Sequence, residues 1–279
     1  MDNREALREL RNPAVIAAFS GWNDAGEAAS GVIEHLAASY DSEVVAALDP
    51  EEFYDFQVTR PTVRLLDGQR IIEWATTEAV VVKLPERDLV LIGGPEPNYR
   101  WRDFLGNLMD MVDLVSPELV IVCGAMLADS PHSRPIQVSA SSGDPHLGAE
   151  FGLEESDYEG PTGIVGVFSS ELEDAGVPTM SLWASVPHYV ADPPNPKATL
   201  ALLSRIEDIL NTPLDTGDLF ERGERWTEQV NELVADNPDI AMYISALEER
   251  SDQDTPAPTG DSIAAEFERY LRRRNRRRG

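Results

Sequence analysis

Four short polar segments hold the residue types able to do chemistry, and each follows an apolar run. The first is Gly21-Trp22-Asn23-Asp24-Ala25-Gly26. Backbone amides at the start of a helix there would cradle an anion. The spacing is neither G-x-G-x-x-G nor the phosphate loop with its Gly-Lys-Ser/Thr. Asp24 and Glu27 also stand three apart, as in a capping box with Asp in the place of Ser or Thr. The second segment is Ala128-Asp129-Ser130-Pro131-His132-Ser133-Arg134-Pro135. His132 is suited to acid–base work near neutral pH. Arg134 is suited to a carboxylate or phosphate. Its plainer use is to pair with one of the chain's many acids in a proline-stiffened loop. The third is Pro187-His188-Tyr189, ahead of Pro193-Pro194-Asn195-Pro196. His188 would meet His132 if their strands are neighbours. The fourth, Gly93 to Arg102, offers Glu96, Arg100 and Arg102 to one rim or to surface pairs.

Gly21, Trp22, Asp24, Glu96, His132, Arg134, His188 and Tyr189 therefore make one candidate pocket. They do not complete a known catalytic set, so no catalytic residue is assigned. A nucleophilic triad needs Ser or Cys, a base and an orienting acid. Cys123 lies inside an apolar run, where a thiol is expected to be buried and inert. No serine sits in a G-x-S-x-G elbow. The four histidines, 35, 132, 146 and 188, show no H-x-x-x-H or H-x-H spacing. Neither a metal site nor a cofactor is expected.

The elements that position these segments alternate. Ala14–Phe19 reads as a buried strand, followed by apolar residues at helical spacing from Ala25 to Tyr40. Val44–Leu48 is a second strand. Val63–Leu66 and Ile71–Ala75 flank Asp67-Gly68, a hairpin turn. Val80–Leu84 and Leu89–Ile92 follow as paired strands. Trp101–Val115 is a helix ended by Ser116-Pro117. Leu119–Cys123, Ile136–Ala140 and Thr179–Ala184 read as strands, and Gly163–Asp174 as a helix. Asn195 as N-cap and Pro196 at the first helical position open a helix to Leu210. This pattern predicts an α/β three-layer sandwich with a mixed, largely parallel central sheet over residues 1–212. A helical appendage, Leu219–Ala235 and Ile240–Arg250, occupies 213–250. A polar Pro/Gly linker spans 251–260, and an amphipathic helix with an Arg-rich tail spans 261–279.

Charge narrows the partners. The 279 residues include 23 basic and 50 acidic side chains, a net of −27. Residues 269–279 hold seven arginines and no acid, so the remainder carries −34. Such a body repels nucleic acid and anionic membranes, and neither is expected as a partner. The Arg tail is expected to dock on the acidic surface of its own or a neighbouring subunit. No apolar run reaches the roughly 20 residues of a membrane span. The N-terminus, MDNREALREL, lacks the apolar run of a secretory signal. A single cysteine permits no intrachain disulfide. The expected location is the cytoplasm.

Three motifs carry a family resemblance. Phe19-Ser20-Gly21-Trp22-Asn23-Asp24-Ala25-Gly26 is one. Gly124-Ala125-Met126-Leu127 leading to Pro131-His132-Ser133-Arg134-Pro135 is the second. Ser185-Val186-Pro187-His188-Tyr189 with Asn195-Pro196-Lys197-Ala198 is the third. Together they resemble the proteasome assembly chaperone 2 family, in its bacterial branch, over roughly residues 10–250. The resemblance implies a fold similar to purine nucleoside phosphorylases, without implying that activity, and an oligomer, here a trimer. It also implies proteasome subunits as partners. Chaperones of the family dock on the proteasome through a C-terminal hydrophobic-Tyr-X tail. This sequence ends Arg277-Arg278-Gly279, which does not match that tail.

The leading expectation is a non-enzymatic oligomeric chaperone or scaffold. The alternative is a small-ligand protein or an enzyme. Its chemistry would be hydrolysis or glycosyl transfer at a nucleoside-like substrate, with Arg134 holding an anion.

Overall fold

The computed structural model describes residues 4–66, 68–235 and 237–254. The expected terminal helix, its Arg run and most of the linker lie outside the described residues.

The chain begins with a 3-10 turn, Arg4–Glu9, and enters β1 (Ala14–Ser20). After a second 3-10 turn come α1 (Ser30–Ser39), β2 (Ser42–Ala47) and the short α2 (Pro50–Phe53). β3 (Thr62–Leu66) and β4 (Gln69–Glu73) form a hairpin, followed by β5 (Glu78–Lys83) and β6 (Asp88–Pro95). Then come α3 (Trp101–Val115), β7 (Leu119–Ala128), β8 (Val138–Ser141), α4 (Pro145–Phe151), α5 (Ile164–Asp174) and β9 (Thr179–Pro187). The last described elements are α6 (Pro196–Leu210), α7 (Leu219–Ala235) and α8 (Pro238–Asp254).

Seven strands form one sheet in the order β2-β5-β6-β1-β7-β9-β8. β6, β1, β7 and β9 are parallel, and the flanking pairs are antiparallel. The sheet is therefore mixed with a parallel centre. Its central strand shows why. β1 is apolar without alternation because both of its faces are covered. Ala14, Ile16 and Ala18 join the core shared with α1 and α6, while Val15, Ala17 and Phe19 join the core shared with α3 and α5. In the second core Phe19 meets Phe104 and Phe168 edge to face, at 5.9 and 6.4 Å.

Several boundaries differ from the pattern. The helix expected from Ala25 starts at Ser30, because Gly26 and Glu27 have φ of 63° and 50° and interrupt helical geometry. Asp24 does not form the expected capping box with Glu27. Its Oδ1 accepts from the backbone of Ala29 at 2.8 Å and of Ser30 at 3.2 Å, at the start of the later helix. The hairpin is present, with Gly68 at φ 80° in its turn, but it makes a separate two-stranded sheet. The antiparallel part of the main sheet comes from the expected β5–β6 pair, joined by β2 on β5 and by β8 on β9. β8 begins two residues later than Ile136, whose side chain is buried against the core. Asn195 and Pro196 act as expected, the Asn195 side chain accepting from the Ala198 amide at 3.0 Å. Helix α8 continues to Asp254, into the segment whose composition reads as linker.

Candidate functional site

The four parallel strands point the same way, so the polar segments that follow them gather at one end of the sheet. This is where open α/β sheets bind ligands. Order β6-β1-β7-β9 puts Glu96, the Gly21–Asp24 loop, the His132–Arg134 loop and His188-Tyr189 along that end. The structure then divides them into two groups.

The first group surrounds Asn23. Glu96 Oε1 accepts from Asn23 Nδ2 at 3.2 Å and from the Ile164 amide at 2.8 Å. Glu96 thus caps α5, whose N-cap Gly163 has no side chain to do so. A Cβ at position 163 would lie 1.9 Å from Asn23 Nδ2, so the close approach requires glycine. Asp24 is 6% exposed, and its Oδ2 accepts from Ser30 Oγ at 2.5 Å. Burial pushes its carboxyl up, against the hydrogen bonds from Ser30 and Ala29. Gly21 turns the chain at φ 129°, and Trp22 projects into solvent, 65% exposed. Arg100 leaves this rim. It pairs with Glu52 at 3.3 Å and Asp103 at 3.0 Å.

The second group lies beneath α7 and α8. The Tyr189 hydroxyl sits 2.8 Å from both the backbone N and Nδ1 of His132. Asn231 Oδ1 of α7 can only accept, so the neutral ring carries its proton on Nε2 and donates it there at 3.0 Å. Nδ1 is then the acceptor for the Tyr189 hydroxyl proton, while the hydroxyl oxygen accepts from the His132 amide. His132 is 2% exposed. Burial lowers its pKa, with the Lys197 charge acting the same way, while the Asn231 hydrogen bond and Glu248 oppose them. Lys197 Nζ donates to the His132 carbonyl at 2.5 Å. Ser133 Oγ donates to Glu248 of α8, and Arg134 forms a two-pronged pair with Asp252 at 2.7 and 2.8 Å. His188 stacks edge to face on Tyr189 and on Tyr243 of α8, both at 5.7 Å. His132 and His188 are thus joined through Tyr189, as the neighbouring strands imply.

The expected single pocket is therefore two polar clusters, and their polar atoms are engaged by the protein itself. Both nitrogens of His132 have partners, Arg134 faces two acids, and Asp24 caps α1. Arg134 is not presented to an anionic ligand, because α8 brings Glu248 and Asp252 to it. Sequence reasoning missed Asn231, Tyr243, Glu248 and Asp252. The one available signal was the spacing of Glu248 and Asp252, one helical turn apart. Among the described residues no three His, Cys, Asp or Glu come together to hold a metal ion. No helix among them is long and apolar enough to cross a membrane. Cys123 is buried, and burial pushes its thiol up to about 12.

Comparison with known proteins adds a family. The PAC2 family model matches residues 18–234. A PAC2 family protein from Streptomyces avermitilis is 50% identical, with 83% of this chain and 99% of that chain covered and a TM-score of 0.78. A proteasome-assembly chaperone homologue from Mycobacterium tuberculosis is 44% identical over the same shares, with a TM-score of 0.74. A Corynebacterium glutamicum protein of unknown function is 27% identical, covering 88% and 92%, with a TM-score of 0.79. A search of curated protein sequences gave no match.

Proposed function

The chain belongs to the PAC2 family, and from that premise we propose that it is a homo-oligomeric, non-enzymatic assembly chaperone of the cytoplasm, with proteasome subunits as its clients. One observation carries the reading: 44% identity, over 83% of this chain, to a protein described as a proteasome-assembly chaperone homologue. The geometry agrees with it. The residues best suited to acid–base or anion chemistry, His132 and Arg134, hold α7 and α8 on the end of the sheet. They are scaffold contacts, and the outer surface of those helices and of the sheet end is left for protein partners.

The test is co-expression of the chain with the proteasome core subunits of its own host, followed by native mass spectrometry. A complex with unassembled subunits at fixed stoichiometry, absent from the mature core, is the expected result. Core assembly of equal rate and yield without the chain, with no such complex, overturns the reading. The enzyme reading requires His132 and Arg134 to be released from Asn231 and Asp252. Retention of a nucleoside-sized molecule, lost in His132→Ala, would favour it.

A further inference from the structure

The carboxyl end of the parallel strands, where folds of this class bind ligands, is covered by one helix. Helix α8 brings Asp252 to Arg134 at 2.7 and 2.8 Å and Glu248 to the same guanidinium at 3.6 Å. Glu248 also accepts from Ser133. The Tyr243 ring lies against His188, and its hydroxyl donates to Asp129 at 3.3 Å. Ile244 and Leu247 are the buried apolar side chains of the helix. Positions 244, 247, 248 and 252 stand at i, i+3, i+4 and i+8, which puts them on one side of α8.

This helix is held less firmly than its neighbours. Leu219 at the start of α7 joins the core shared with α1 and α6, whereas Ile244 and Leu247 join neither core. The side chains of Arg134 and Asp252 are 35 and 57% exposed, so their pair is screened by salt and contributes little. Asn237 caps α8 on the spot. Its side chain accepts from the Ile240 amide at 3.3 Å and its carbonyl from Ala241 at 3.0 Å. A helix that carries its own cap and sits outside both cores opens as a unit at low cost.

What α8 touches defines what can replace it. The surface beneath it offers a planar fork for a carboxylate, a hydroxyl donor one residue before, and the His188 and Tyr189 rings. Lys197 adds a second cation at the His132 carbonyl. We propose that α8 is a removable strap, and that the surface it covers grips an acidic amphipathic helix of a client protein. That helix carries an apolar pair at i and i+3 and carboxylates at i+4 and i+8, the pattern of helix-in-groove recognition. The proposal rests on the chaperone reading for the existence of clients and names the part of them that is held.

The test uses the full chain and, as probe, a fluorescent peptide of residues 238–254, read by anisotropy. The resident helix competes at an effective concentration on the order of millimolar. Glu248→Ala with Asp252→Ala in the chain loosens it and leaves the surface intact, so this variant binds the peptide about 10-fold or more tighter than wild type. Raising salt from about 50 to about 500 mM weakens that binding. Adding Arg134→Glu abolishes it, and a peptide carrying Glu248→Arg and Asp252→Arg restores it. Circular dichroism checks that each variant keeps its folded core. Equal affinity in wild type and the double variant, or indifference to Arg134→Glu, overturns the proposal. Proteasome subunits that co-purify equally with wild type, the double variant and Arg134→Glu also overturn it, and leave the chaperone reading standing. The expected peptide pattern with no co-purifying subunit supports the site and removes the chaperone reading. Peptide binding that breaks up an oligomer of the chain puts the α8 of a second copy on this surface and overturns the client assignment.

Discussion

The Tyr189 hydroxyl lies 2.8 Å from the backbone nitrogen of His132 and 2.8 Å from its ring Nδ1, so one oxygen from the end of β9 fixes both the loop and the tautomer of the histidine that follows β7. Tyr189→Phe keeps the ring contact with His132 and removes that oxygen. A buried amide and a ring nitrogen then lose their partner, which costs about 1–3 kcal/mol. The expected outcome is a lower unfolding midpoint in urea, with faster amide exchange in α7. An unchanged midpoint would mean that water replaces the hydroxyl without penalty.

The same buried ring gives stability a pH dependence. Burial holds the folded pKa of His132 below the ordinary histidine value near 6.5. The folded state therefore binds fewer protons than the unfolded chain, and stability falls as pH drops below about 6.5. Protonation makes Nδ1 a donor, so the Tyr189 hydroxyl must turn its own proton away from the ring, and it places a cation beside Lys197. Urea unfolding between pH 5.5 and 7.5 should show this slope. His132→Gln should flatten it, because no other histidine among the described residues is as buried. An equal slope in the variant would assign the effect to carboxylates elsewhere.

Arg134 faces Asp252 and Glu248 from α8. Arg134→Glu would set a third carboxylate among them, and like charges at that distance repel. The expected outcome is release of the C-terminal part of α8. Hydrogen exchange over residues 238–254 should accelerate while β1 and β7 keep their protection. Because the pair is partly open to water, the wild-type contact should weaken with salt.

How much of this was legible in the sequence depends on the range of the interaction that decides it. The unbroken apolar run of β1 announces a strand covered on both faces, and Asn195-Pro196 announces a helix start. Both are local signals, and both elements form as read. The Asp24–Glu27 spacing is also local, but the left-handed backbone at Gly26 and Glu27 overrides it, and nothing in the two side chains encodes that turn. The hairpin follows from its Asp-Gly turn, whereas its separation from the main sheet depends on what the rest of the chain leaves uncovered. The partners of Arg134 were not legible. Among 50 acids, only the path of α8 across the sheet end selects Glu248 and Asp252.

Asp24 offers a local test of that override. Three donors converge on its carboxylate, the amides of Ala29 and Ser30 and the Ser30 hydroxyl. Asp24→Ala leaves the start of α1 uncapped and should cost about 1–2 kcal/mol. Asp24→Asn keeps one accepting oxygen and removes a charge that burial disfavours, so it should cost less. Glu27→Ala should be near neutral, since Glu27 is exposed and does not reciprocate the cap. A larger loss for Glu27→Ala than for Asp24→Ala would restore the capping-box reading.

Gly124 tests the packing beneath the site. It lies in the middle of β7, paired with Trp183 of β9, and a Cβ there would lie 2.6 Å from the indole ring. Trp183 is not a flexible chain end that can swing aside. It packs against the core shared with α3 and α5, so the added methyl must displace the ring or bend the strand. Overpacking of this kind costs about 1–3 kcal/mol. Gly124→Ala should therefore lower the unfolding midpoint although alanine suits a strand at least as well as glycine does. Because β7 leads directly into the His132 loop, the variant should also loosen α7 and α8 in hydrogen exchange. Pairing it with Trp183→Phe, which shortens the ring that the methyl meets, should recover part of the loss. Additive losses in the double variant would show that the strain arises elsewhere in the strand.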